Sequence, residues 1–362
     1  MSKEKTADSI LNRIVDSARS AFVKKEVVRK EVLGVTSLKE IHIAASDIDV
    51  EVMKHQEANI TIVFTSYEDG PEMLVDHTDD VLDITFMKTS KERFIIEFSP
   101  TVKMQLFVPD DIAEGWKIST RLGDVTVSQL SAKAISVHTA SGDASLSDIK
   151  AHQIKLHCTS GDIQANKLRA EECYLQTSSG DIEIAKLVAG STYAKAASGD
   201  LTLTDIRGEH MEIALASGDV ELEDVIMVKG MIDVRSGDVE ADRIQVESLT
   251  VDTKSGDVEL NEFSGGLNGK SISGDFDLGI VDYATVQLDS WKGDIAVEID
   301  QVIGLNAAYD IAYSSDMETN LPFERDGQSR RLTGVTGDGE NSIRIKSSAG
   351  DIKIYTKAPV NV

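Results

Sequence analysis

An aspartate follows a glycine at Asp124, Asp143, Asp162, Asp181, Asp200, Asp219, Asp238, Asp257, Asp275 and Asp294. Carboxylates at so regular a spacing suit three kinds of chemistry. They can accept backbone N–H groups in tight turns, line up as a cation ladder, or serve in pairs as the acid and base of glycoside cleavage. On stacked coils they would stand about 5 Å apart, where bare carboxylates repel. Backbone hydrogen bonds at each turn, helped by the flanking serines such as Ser160 and Ser179, are the expected compensation. The alternative is a Ca²⁺-type ladder on Asp143, Asp162, Asp181, Asp200, Asp219, Asp238 and Asp257. The nine-residue Gly-Gly-x-Gly-x-Asp repeat of calcium-binding β-rolls does not occur here. Catalytic acids should break a repeat, whereas these obey it. Acids outside the register, Asp316, Glu318, Glu324 and Asp326, are the candidates for a carbohydrate-active β-helix enzyme.

Other chemistry is sparse. His138 and His157 fall one repeat apart on an outward column, with Gln176 and Lys195 next, so no third metal ligand follows. There is no Gly-x-Ser-x-Gly, His-Glu-x-x-His or Walker loop. Cys158 and Cys173 sit in different columns of successive repeats and read as small core residues. Aromatic residues make up 5% of the chain, and the formal charge is −25. That acidity excludes nucleic acid as a partner and a simple polybasic membrane binder. No catalytic residue, cofactor or firm metal site is expected.

The elements behind these residues come from the repeat itself. Gly123, Gly142, Gly161, Gly180, Gly199, Gly218, Gly237, Gly256, Gly274 and Gly293 are separated by 19 residues, except for one step of 18. Gly350 follows 57 residues after Gly293, which equals three periods. A fixed period near 20 marks a solenoid. Apolar residues recur two, four and seven places after each glycine, as at Ile182, Ile184 and Leu187. A second set precedes the next glycine by seven, five and three, as at Met211, Ile213 and Leu215. The steps of two denote strands. The expected fold is therefore an all-β parallel solenoid, a β-helix, with right-handed coiling as the prior for parallel crossovers.

Residues 1–33 differ from the rest. Leu11, Ile14, Val15, Ala18, Phe22 and Val28 follow helical spacing, and the segment carries eight Lys/Arg against five Asp/Glu. An amphipathic helix over 1–33 is expected, either capping the solenoid or touching a membrane or partner through Phe22, Lys24, Lys25, Arg29 and Lys30. The solenoid is expected over 34–357, with irregular early coils at 34–115, regular rungs at 116–300 and looser C-terminal coils with an excursion at about 321–341. No stretch reads as a signal peptide or transmembrane helix. The default location is cytoplasmic, with membrane association or non-classical export as alternatives.

The Ser-Gly-Asp-(Ile/Val)-x-(Ile/Leu) rungs, the lead-in Leu106-Phe107-Val108-Pro109 and the closing Ala349-Gly350-Asp351-Ile352-Lys353-Ile354 carry a resemblance. The chain is similar to the bacterial family of putative adhesins of unknown function that includes LiaX and the YvlB proteins. The resemblance spans roughly residues 35–357. It implies a β-solenoid, a non-enzymatic scaffold with a protein or cell-envelope partner, and a link to cell-envelope stress.

Overall fold

The computed structural model describes residues 25–35, 37–87, 102–300, 307–325 and 330–356. All regular elements among them are strands. The coils from Ala144–Cys158 to Phe276–Lys292 are each one nearly continuous strand of 15 to 17 residues that pairs in parallel with the next. The register is the 19-residue period: Ile182 lies beside Leu201, and Thr192 beside Met211. Alternate residues are buried, and the apolar columns merge into one core that runs the length of the molecule. Cys158 and Cys173 belong to that core as expected.

Three corners bend each coil. One is the Ser-Gly-Asp turn, where the glycines approach the coil before them. A Cβ on Gly218, whose φ is +130°, would lie 2.1 Å from the carbonyl oxygen of Gly199. The second corner lies six residues later. It is formed by Gln129, Asp148, Lys167, Lys186, Asp205, Asp224, Arg243 and Glu262, all with φ between 50° and 64°. A left-handed residue in each of these eight coils turns the strand without an insertion. The third corner falls where pairing is interrupted between Gly208/Met227 and His210/Lys229. After Glu262 the second corner is lost. Register slips between Leu260/Leu278 and Phe263/Ile280, and Val281 and Tyr283 are left exposed.

At both ends the spatial order departs from the chain order. Strands Leu38–Ala44 and Asp49–Lys54 stack directly on Ala113–Thr120 and Val125–Ser128. The intervening Val81–Met87 and Lys103–Val108 lie outside them. Likewise Asn341–Ser347 and Ile352–Thr356 stack directly on Phe276–Lys292 and Ile295–Ile299. The earlier Ala307–Ala312 and Met317–Thr319 form the coil beyond. Gly350 is thus three periods from Gly293 along the chain but one coil away in space.

Antiparallel strands finish both ends, which replaces open parallel edges with short return segments. Ile60–Tyr67 adds to Lys103–Val108, and Glu26–Leu33 adds to Ile60–Tyr67. At the other end Arg331–Val335 returns along Ala307–Ala312, with Glu324–Arg325 beside it. Part of the excursion expected at 321–341 is therefore paired sheet. The helix expected over 1–33 does not extend through Glu26–Leu33, which is a strand with eight paired positions. The β-branched Val27, Val28 and Val32 favour this outcome, and a ready edge at Ile60–Tyr67 outweighs the helical spacing. Residues 1–24, including Phe22 and Lys24, lie outside the described residues.

Candidate binding surfaces

The corner aspartates form a hydrogen-bonded ladder. The backbone N–H of Asp143 donates to Asp124 Oδ1 at 3.0 Å, and that of Asp162 donates to Asp143 Oδ1 at 2.9 Å. The same bond, at 2.8–2.9 Å, links Asp181, Asp200, Asp219, Asp238, Asp257, Asp275 and Asp294 in turn. Asp124 N–H reaches Asp49 Oδ1 at the first end. Asp351 N–H reaches Asp294, and Asp316 N–H reaches Asp351, at the other. The backbone N–H donors expected for these carboxylates are therefore on the next coil, not in the same turn. Each carboxylate is held by a charge-assisted bond that offsets its neighbour's repulsion. Behind the ladder, buried hydroxyls of Thr120, Ser290 and Ser347 donate to the carbonyls of Gly123, Gly293 and Gly350. Among the described residues no group of three or more His, Cys, Asp or Glu side chains could hold a metal ion.

Among the described residues, the acids outside the repeat register have separate partners. Asp316 joins the ladder, and Glu318 accepts a hydrogen bond from the Tyr355 hydroxyl at 2.9 Å. That bond, first among the causes, pushes the Tyr355 phenol above its usual range. Glu324 pairs with Thr333 on a different sheet edge, and Asp326 lies outside the described residues.

The flat face before each Ser-Gly-Asp corner carries stacked rings. Tyr174 and Tyr193 lie 4.8 Å apart and nearly parallel, with His210 tilted 5.8 Å beyond Tyr193. The Lys155 ammonium sits 5.4 Å from the Tyr174 ring. Partial desolvation, then Glu172 and Tyr193, raises the Tyr174 phenol. A shallow depression of about 240 Å³ runs along these rings to Lys195 and Ala214. His138 and His157 stack at 4.9 Å on the neighbouring column, as the spacing predicted. Burial, then the facing His157, lowers the pKa of His138. Neither tyrosine is among the site residues that the repeat pattern singles out. Both nevertheless stand six residues before a corner glycine, on an outward column where a ring has no core to fill. Trp116 is buried, and Trp291 is an exposed corner residue, 62% accessible.

A second surface follows the left-handed corner. Two grooves of about 860 and 770 Å³ share Lys186, Asp205 and Arg207, and together run along the solenoid. In the far groove Arg243 is neutralised: its guanidinium meets Asp224 at 2.6 Å and also contacts Glu223 and Asp242.

The predicted N-terminal contact residues divide. Lys25 and Lys30 are exposed on and beside the edge strand. Arg29 is tied down, donating to the Met73 carbonyl at 2.7 Å and pairing with Glu31. No helix among the described residues is long and apolar enough to cross a membrane.

The family model described as Toastrack DUF4097 matches the chain twice, over residues 38–223 and 189–355. The two matches overlap, as a repeat permits. Solved structures with a similar course include a putative adhesin from Bacteroides fragilis, 14% identical, with a TM-score of 0.41 over 63% of this chain and 99% of that one. A putative adhesin from Parabacteroides distasonis is 13% identical, with a TM-score of 0.40 over 76% and 98%. A putative lipid binding protein from the same species is 11% identical, with a TM-score of 0.32 over 91% and 98%. No curated protein matches the chain.

Proposed function

The chain belongs to the Toastrack DUF4097 family, and from that premise we propose that it is a non-enzymatic solenoid scaffold that binds a protein or cell-envelope component, as an adhesin does. The observation that carries this is the half-buried, outward-facing Tyr174–Tyr193–His210 row, with Lys155 over its end, on the outer side of the sheet. Tyrosines in such a row offer large contact area at little entropic cost, and each ring keeps a polar hydroxyl for the partner. Nothing in the fold requires them to be aromatic, since both rings point away from the core. The strand form of Glu26–Leu33 adds a second contact, with Lys30 between Val28 and Val32 on an exposed edge. That supports a partner protein there rather than a helix lying on a membrane. An envelope-stress role follows if the partner is an envelope component.

The test is co-sedimentation of the purified protein with cell-envelope fractions of its host. Native protein should pellet. The Tyr174→Ala/Tyr193→Ala variant should lose most of that binding while its melting temperature changes by less than about 3 °C, as for substitutions on an exposed face. Equal pelleting of both proteins would remove the aromatic row from the reading. Absence of binding by the native protein would sink the envelope partner.

A further inference from the structure

The chain carries a formal charge of −25, yet one stretch of its surface is cationic. The groove of about 860 Å³ beside the left-handed corner is bordered by Lys150, Lys167, Arg169, Lys186 and Arg207. They occupy two adjacent columns on four successive coils. Lys167 and Lys186 hold the left-handed corner itself, with φ of 56° and 64°. Lys150, Arg169 and Arg207 stand two residues further on. Parallel pairing sets Lys150 beside Arg169 and fixes the stack in register. Four coils span three steps, so the cations cover about 14 Å along the axis.

Their neutralisation is incomplete. Arg207 pairs with Asp205 at 3.3 Å, and Lys54, at the groove's end, pairs with Asp110. Lys150, Lys167, Arg169 and Lys186 make no ion pair with any described residue, and Asp148 is the one further acid on the border. Three coils along the same corner, Arg243 shows what a structural cation looks like here: it is gripped by Asp224, Glu223 and Asp242. The contrast separates a corner built for stability from one that leaves its charge available. Like charges at rung spacing repel and lower stability, so an anion in the groove would relieve a cost the fold otherwise bears.

The geometry points to a binding site for a linear, phosphate-bearing polyanion lying along the solenoid axis. The groove follows the left-handed corner over successive coils and continues into the second groove through Lys186, Asp205 and Arg207, which suits a chain better than a flat membrane surface. Ammonium groups and an arginine fork are the donors that phosphate oxygens take. No Phe, Tyr or Trp borders the groove, so the bases of a nucleic acid would have no ring to stack on. The site lies on a different face from the tyrosine row, and neither reading depends on the other.

Inorganic polyphosphate is the probe, titrated against the full-length protein by calorimetry at several salt concentrations. Binding should weaken with salt with a log–log slope of about −3, as four released cations require. The Lys150→Glu/Lys167→Glu/Lys186→Glu variant should bind at least tenfold more weakly. Lys229→Glu, on another column, should change binding by less than twofold. Circular dichroism and melting temperature establish that both variants fold. A Lys167→Ala/Lys186→Ala variant, which removes charge without adding acid, should give an intermediate loss. Equal affinity of the native protein and the triple variant would overturn the proposal. So would tighter binding to poly-L-glutamate of matched length, or to phosphatidylglycerol vesicles, than to polyphosphate. The first would make carboxylate the preferred anion, the second a membrane surface.

Discussion

Gly218 shows how strictly one residue is held by the coil beneath it. A methyl there would lie 2.1 Å from the Gly199 carbonyl oxygen, on a backbone with φ of +130°. Gly218→Ala should cost about 2–4 kcal/mol, through backbone strain and displacement of the rung, read as a fall in the chemical-denaturation midpoint. Asp200 tests the ladder. Its Oδ1 accepts from the Asp219 N–H, and an asparagine keeps that acceptor whereas an alanine does not. Asp200→Ala should lose about 1–2 kcal/mol and Asp200→Asn less than half of that. Because backbone N–H groups already occupy Oδ1, added Ca²⁺ should shift the melting temperature of native protein by less than about 2 °C; a large rise would restore the cation-ladder reading. His138 gives a pH dependence. Its pKa is depressed by burial and by His157, so the unfolded chain binds the proton more readily. Stability should therefore fall as pH drops through about 6.5 and below. His138→Gln should flatten the melting-temperature profile between pH 7 and 5, and an unchanged profile would count against the stack as its source.

At the scale of elements, strands are decided by what they can pair with. Glu26–Leu33 has the charge and spacing of an amphipathic helix end, but its valines fit a sheet and Ile60–Tyr67 offers an edge. Helical periodicity in eight residues is weak against eight paired positions. Deleting residues 1–33 should expose Ile60–Tyr67, a strand rich in Ile, Val and Phe, and drive self-association. Light scattering after size exclusion should show a concentration-dependent rise in mass, and a strictly monomeric truncation would contradict this. The left-handed corner is also an element property. Its residues, Gln129, Asp148, Lys167 and their successors, share polarity but no single type. In the sequence they read as a polar break between apolar columns, and only the backbone shows the turn that makes the groove.

The whole molecule is a stack of nearly equivalent coils, each bound to its neighbours. Removing one complete period, Asp181 to Gly199, joins Gly180 to Asp200 and keeps every column in register. Such a protein should fold cooperatively, melt within a few degrees of the native chain and shorten by about 4.8 Å in solution scattering. A deletion of nine residues from the same place should not fold, since an odd shift puts apolar columns on the outside. Failure of the 19-residue deletion would show that the coils are not interchangeable.

The sequence by itself determined the solenoid, its period, the inward columns and the corner aspartates, because a 19-residue repeat admits one register and each rung states the same pattern again. It located Cys158 and Cys173 in the core and His138 beside His157 for the same reason. Tertiary structure alone decided the rest. A repeat cannot say that Gly350 stacks directly on Gly293, because stacking order at an end depends on which segment reaches the open edge. It cannot turn residues 26–33 into a strand before the partner edge exists. Nor can it show that Arg243 is neutralised while Lys167 and Lys186, in the same column, keep their charge. That difference arises from side chains on neighbouring coils, which come together only when the chain has wound.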